Sequence, residues 1–181
     1  DVCEEDDRVL MRVIDYKSGA KKFEMEDFYY GLELQLIIYM NAAEEIYHKE
    51  TEKEVTPAGV FYYQLQDPII KADHAEEESL LKNFRMSGMA NSDGDILNKL
   101  EAPDGDFPVR LKKAGEPYKN SPVMGTQDFH YMGGYAKRKA AELGGRIYKG
   151  EIRPRPYRNK KGTACDYCPF ADVCGFDVKL P

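Results

Sequence analysis

No apolar run in the 181 residues approaches the roughly 18 that a membrane-spanning helix requires. The opening residues lack the basic-then-apolar pattern of a secretory leader. No Gly-x4-Gly-Lys-[Ser/Thr] stretch is present, so the common phosphate cradle of ATP-binding proteins is missing. No internal repeat is visible. Cysteine is scarce, and three of the four lie within Cys165–Cys174. That crowding is not the spread of a secreted disulfide framework and suits a cytosolic metal or cluster site. Together these absences exclude a membrane-spanning helix, a P-loop ATPase, a solenoid and a disulfide-stapled scaffold. Met is also absent from the first position, and Asp1-Val2-Cys3 reads as the middle of a strand, so a fragment of a longer protein is expected.

What is present is charge. Acids outnumber bases 32 to 26, for a net charge of −6. The surplus is uneven. Between Lys137 and Lys161 ten basic residues face two acids, a local +8 that leaves −14 for the rest. Such a block reads either as a polyanion contact or as a solvated helix face with a basic loop. The length suits one domain, or one domain with an appendage, and is ample for a real core. We divide it into a core over 1–150 and a basic, cysteine-bearing tail over 151–181.

The chain centres on Arg12-Val13-Ile14-Asp15-Tyr16-Lys17-Ser18-Gly19. Arg8–Lys17 reads as a strand with Val9, Met11 and Val13 on one face and Leu10, Ile14 and Tyr16 on the other, as in a sheet covered on both sides. Residues two apart in a strand share a face, so Asp15 and Lys17 project together. A carboxylate is a hard ligand for Mg²⁺, and a neighbouring ammonium can stabilise developing negative charge. Taken alone, the triplet equally describes an ordinary exposed ion pair.

Asp1–Cys3 forms the first arm of a hairpin turning at Glu4–Asp7. Pairing positions that sum to 11 or 12 sets Asp1 opposite Leu10 or Met11, roughly 13 Å from Asp15 and too far to share a metal. Gly19–Asp27 is a polar connector. A single helix is expected from Met25 to His48, with Leu32, Leu36, Tyr39, Met40 and Ala43 at helical spacing. Gln35 and Tyr39 share one face; by pattern alone, Tyr39 belongs to the core and Gln35 to its boundary. Lys53–Pro57 reads as a loop, Gly59–Gln66 as a strand stopped at Asp67-Pro68, and Ala75–Phe84 and Gly94–Leu100 as short helices. Arg85–Met89 is a turn or short strand. Glu101–Gly125 reads as a mobile surface segment, with a candidate short strand at Phe107–Leu111. A helix then runs from an N-cap at Thr126 to Tyr148, weakened by Gly133-Gly134 and Gly144-Gly145. Pro154 and Pro156 force extended chain.

The tail carries Cys165-x2-Cys168-x5-Cys174. Free core cysteines, a zinc knuckle and an Fe–S centre all fit this spacing. The last needs a fourth ligand. Cys3, in an acidic hairpin, is a poor source, so one from before residue 1 is expected.

Three motifs in this order carry a resemblance: Ile14-Asp15-Tyr16-Lys17-Ser18-Gly19, Gly31-x3-Gln35-Leu36-x2-Tyr39, and Cys165-x2-Cys168-Pro169-x4-Cys174-x-Phe176. With Ala58-Gly59-Val60-Phe61-Tyr62-Tyr63, Phe84-Arg85-Met86-Ser87-Gly88 and Ile147-Tyr148-Lys149-Gly150 between them, the chain resembles the Fe–S-containing RecB-like PD-(D/E)xK nucleases. It is most similar to the C-terminal nuclease domains of AddB (RexB)-type subunits of bacterial AddAB helicase–nucleases. The resemblance implies an α/β (α+β) restriction-endonuclease-like core, a mixed sheet flanked by helices, and a cysteine-cluster tail. It implies an Mg²⁺-dependent DNA exonuclease of double-strand-break repair, cytoplasmic, working with an AddA-type helicase–nuclease subunit. Mg²⁺ would sit on Asp15, the Tyr16 backbone carbonyl and an upstream Asp, with Lys17 assisting hydrolysis. Gln35 and Tyr39 would place DNA. Cys165, Cys168, Cys174 and an upstream cysteine would hold a [4Fe–4S] cluster. Arg153, Arg155, Arg158, Lys160 and Lys161 are the candidate phosphate contacts. The upstream Asp has no counterpart here, so this stretch by itself is expected to be inactive or nearly so. A standalone CRISPR-associated Fe–S exonuclease and a non-catalytic, zinc-stabilised DNA-binding module are the competing readings.

Overall fold

A computed structural model describes residues 1–19, 21–65, 86–100, 107–160 and 162–176. The expected helix at 75–84 and the stop at residues 67–68 lie outside the described residues, as do Phe84, Arg85 and Lys161. The chain forms two compact units, Asp1–Ala140 and Ala141–Pro181.

The first unit is built on a five-stranded mixed sheet in the order β1-β2-β3-β4-β5. β1 (Val2–Glu4) runs antiparallel to β2 (Arg8–Lys17), and β2 runs parallel to β3 (Glu54–Gln64). β4 (Ser87–Asn91) is antiparallel to β3 and parallel to the short β5 (Val123–Met124). This is the expected α/β class. The double-sided strand is also as expected: Leu10 and Ile14 pack into one core layer, Met11 and Val13 into the other. The first layer is closed by α3 (Gly94–Leu100), through Ile96, Leu97 and Leu100. The second is closed by α1 (Met25–Tyr30), α2 (Gln35–Thr51) and α4 (Thr126–Tyr148), through Phe28, Leu36, Ile37, Met40, Phe129 and Met132.

Five expectations need correction. The Met25–His48 helix is two helices, because Gly31 takes a left-handed conformation (φ 87°) that closes α1, its N–H bonding back to the Phe28 carbonyl at 3.0 Å. Residues 54–57 belong to β3 and pair with β2 from Arg8 onward. Pro57, opposite Met11, stands beside a register slip between Met11 and Arg12 that leaves Ala58 as the extra residue of a bulge, a setting in which a strand tolerates proline. Buried Asn91 donates to the Pro57 carbonyl at 2.7 Å and to Thr126 Oγ1 at 2.8 Å. The Thr126 hydroxyl is therefore engaged with Asn91, and the start of α4 is closed instead by Asp128, whose carboxylate accepts from the Gly125 N–H at 3.2 Å. Phe107 and Val109 are no surface segment: both are buried, Phe107 edge-on to Phe61, and among the described residues the pairing there is the single bridge Leu111–Pro117. Finally, the hairpin pairs Val2 with Met11, and Asp1 exchanges backbone hydrogen bonds with Arg12.

That last register places Asp1 three positions from Asp15, about 10 Å along the strand. Alternation puts it on the opposite face as well. The Asp1 carboxylate pairs with Arg12 Nε at 2.9 Å. Asp1 and Asp15 are thus separate, by a register one residue from that expected and by a change of face.

The second unit takes the last turns of α4, then extended chain through Pro154 and Pro156. A small hairpin follows, β6 (Arg158–Asn159) with β7 (Gly162–Thr163). Ala164–Tyr167 forms a 3₁₀ turn, anchored by the Asp166 carboxylate accepting from Thr163 N–H at 2.8 Å, and α5 (Ala171–Cys174) is the last described element. None of the described residues from 141 onward is buried.

Candidate active site

Because β2 and β3 are parallel, the chain leaves β2 at Lys17 and must cross back along the sheet, carrying α1 and α2 over one face. The end of β2 therefore opens beneath the start of α2. Asp15 pairs in register with Tyr62 of β3, and Lys17 with Gln64. Asp15, Lys17 and Tyr62 share the face that α2 covers.

Lys17 Nζ lies 2.8 Å from Asp15 Oδ2, as strand alternation requires of side chains two apart. The Asp15 side chain is only 15% exposed, and Oδ2 is buried with no hydrogen-bond partner, the lysine standing close but off the bonding geometry. A hard anionic oxygen with an unused lone pair fits a small hard cation. Asp15 and the neighbouring backbone carbonyl of Tyr16 are the donors this strand end offers. Among the described residues no three His, Cys, Asp or Glu side chains gather closely enough to hold one metal ion.

Lys17 also donates to Gln35 Oε1 at 2.8 Å, and Gln35 Nε2 donates to the Tyr39 hydroxyl at 2.8 Å. The structure thus joins four sequence-identified residues, Asp15, Lys17, Gln35 and Tyr39, into one chain of contacts. Tyr39 is not core as its spacing suggests. It is 47% exposed, because Leu36, Ile37 and Met40 form the inward stripe of α2. Gln35 and Tyr39 lie about 130° round the helix from the middle of that stripe.

Three residues here escape the sequence reading. Glu33 is 3% exposed, pairs with Lys21 Nζ at 2.5 Å, and accepts from the Glu24 N–H at 3.1 Å. Tyr62 is buried between the two ion pairs, with Lys17 Nζ 5.6 Å and Lys21 Nζ 6.0 Å from its ring centre. Burial, then the charges of Glu33 and Asp15, push the Tyr62 phenol up to about 12. The available signal was a lone acid, Glu33, set among Leu32, Leu34 and Leu36.

In the second unit Cys165 and Cys168 are half-buried and Cys174 is exposed, all as free thiols. They are not core cysteines. The Cys168 N–H bonds to the Cys165 carbonyl at 3.3 Å and the Cys174 N–H to the Phe170 carbonyl at 2.9 Å, so each closes a tight turn. Soft sulfur donors on a unit with no buried residue among those described suit a metal centre that would replace a missing core, although the three thiols are not gathered closely enough in this structure to share one ion. Cys3 lies in the first unit, opposite Leu10. Arg153, Arg155, Arg158 and Lys160 are exposed, and Arg155 also lies 3.7 Å from Glu151.

No helix among the described residues is long and apolar enough to cross a membrane. The family model of the PD-(D/E)XK nuclease superfamily matches residues 1–175. The B subunits of several ATP-dependent helicase/deoxyribonucleases are similar over nearly all of the chain. That of Lachnoclostridium phytofermentans is 36% identical over 194 residues, covering 99% of this chain and 17% of that protein. That of Thermoanaerobacter sp. strain X514 is 36% identical over 189 residues, 99% and 16%. That of Clostridioides difficile strain 630 is 34% identical over 193 residues, 99% and 17%. The chain spans about a sixth of the length of these relatives. With its Asp-x-Lys at the end of a central strand of a mixed sheet, and a match running from the first strand through the cysteine turn, the chain belongs to the PD-(D/E)XK nuclease superfamily.

Proposed function

We propose that this chain is the DNA-cleaving module of an ATP-dependent helicase–nuclease of double-strand-break repair, acting as an exonuclease in the cytoplasm beside an AddA-type subunit. The observation that carries the reading is the Asp15 carboxylate, nearly buried, with Oδ2 unbonded beside Lys17. The names of the relatives supply the helicase context. Mg²⁺ held by Asp15 and the Tyr16 carbonyl would supply Lewis-acid polarisation of the scissile phosphate and of the attacking water. Lys17 brings positive charge to where the phosphate becomes more negative. Gln35 fixes the Lys17 ammonium, and the exposed Tyr39 phenol beyond it faces the strand being cut. Arg153, Arg155, Arg158 and Lys160 contact phosphates without reading sequence. Cys165, Cys168 and Cys174 furnish three ligands of a [4Fe–4S] cluster that holds the tail together.

The test is Mg²⁺-dependent cleavage of single-stranded DNA by the full protein that carries this chain, with any subunit that co-purifies. Asp15→Ala and Lys17→Ala are the variants. Absence of cleavage in the unaltered protein, or normal cleavage by both variants, overturns the assignment.

A further inference from the structure

The connector from β2 to α1 reads in sequence as a polar link. In the structure it is tied down at three points. Gln64 Nε2 of β3 donates to the Lys21 carbonyl at 3.1 Å, the Phe23 N–H bonds to Ser87 Oγ of β4 at 3.3 Å, and Glu33 holds both Lys21 Nζ and the Glu24 N–H. We propose that Lys21 is a second phosphate-binding cation of the active site, and that buried Glu33 is the positioning residue that holds it there. This rests on the nuclease reading above.

Burial of a carboxylate is costly unless it is paired, and such a pair adds little stability over well-packed apolar residues of similar volume. What Glu33 does provide is placement. Its side chain is 2% exposed, whereas that of Lys21 is 39% exposed. The buried acid thus grips an ammonium that is itself partly open to solvent. Lys21 and Lys17 approach the same Tyr62 ring, at 6.0 and 5.6 Å, so their charges lie within about 12 Å of each other. A short stretch of sugar–phosphate backbone spans that gap. A strand whose scissile phosphate meets Lys17 would therefore present a neighbouring phosphate to Lys21. Lysine suits this role as a point charge on phosphate, with no need for a planar fork.

The experiment measures single-stranded DNA affinity against salt concentration, together with KM and kcat, in the full protein. Each phosphate contact adds about 0.7 to the slope of log affinity against log salt for single strands. Lys21→Met should lower that slope by about 0.7 and raise KM more than it lowers kcat, and Lys21→Arg should restore both. Because Lys21→Met leaves Glu33 buried without its partner, the double variant Lys21→Met/Glu33→Leu is the decisive form. It should melt like the unaltered protein and still lose the slope. An unchanged slope and KM in both Lys21→Met and the double variant, while the unaltered protein binds and cleaves, overturns the role of Lys21 alone. An unaltered protein that neither binds nor cleaves DNA overturns the nuclease reading and this inference with it.

Discussion

Gln35 Oε1 accepts a hydrogen bond from Lys17 Nζ at 2.8 Å, linking the first residue of α2 to the last residue of β2. Lysine has a long, freely rotating stem, so such a contact fixes where its charge sits. Gln35→Ala should leave stability within about 0.5 kcal/mol, since the bond is exposed, yet reduce DNA cleavage about tenfold, the kinetic equivalent of one hydrogen bond. Tyr39→Phe, which only removes the far end of the relay, should have a smaller effect. Equal losses from both would mean that the Tyr39 hydroxyl matters to the substrate as much as the hold on Lys17 does.

Removing the charges directly is a harsher change. Asp15→Ala and Lys17→Ala should each slow cleavage on the order of 10²- to 10³-fold. Lys17→Ala leaves the nearly buried Asp15 carboxylate without its cation. That variant should therefore also melt at a lower temperature than the unaltered protein, because breaking a largely buried ion pair strands the remaining charge.

Two of the four glycines of α4 carry opposite expectations. A Cβ on Gly133 would fall 2.3 Å from Asn41 Oδ1 on α2, and Asn41 Nδ2 already donates to the Gly133 carbonyl at 3.0 Å. Gly133→Ala should thus destabilise by about 1–2 kcal/mol despite its better helix propensity. Nothing lies within 4 Å of a Cβ on Gly144, so Gly144→Ala should stabilise by up to about 1 kcal/mol. Paired thermal melts decide both.

Glu44 follows Met40 on the inward stripe of α2. Burial pushes its carboxyl from an ordinary 4.5 up to about 7, with Lys137 opposing and Glu45 adding to the rise. Between those two values the folded chain keeps a proton that the unfolded chain has lost. The contribution to stability is complete below pH 4.5 and is gone once pH passes 7. Glu44→Gln should remove this decline and gain on the order of 1 kcal/mol at about pH 8, the side chain being partly open to solvent screening. Denaturant titrations at about pH 5 and about pH 8 measure it.

Metal analysis separates the readings of the tail. Iron with acid-labile sulfide and a brown colour, lost in Cys168→Ser, is expected. One zinc per chain and no sulfide would instead favour a zinc-stabilised module.

Local chemistry made much of this molecule legible. Alternation over Arg8–Lys17 is enough to cover β2 on both faces and to bring Asp15 and Lys17 to one side, since the pleat permits nothing else. The helices Gly94–Leu100 and Thr126–Tyr148 appear within a residue of the bounds expected. Legibility failed where a residue's place depends on a partner distant in sequence. Tyr39 has core spacing, but Leu36, Ile37 and Met40 meet the sheet first and turn it outward. Pro57 argues for a loop until a bulge opposite Met11 and Arg12 absorbs it. Phe107 and Val109 sit in a segment without periodicity and are buried because Phe61 waits beneath them.

The active-site region divides in the same way. A two-residue repeat along one strand determined the Asp15–Lys17 pair. Only the tertiary structure set Gln35 against Lys17, and only it paired Glu33 with Lys21 over Tyr62. Those contacts need the crossover from β2 to β3 to return a helix across the strand end, and no period in the sequence encodes where two separated side chains meet.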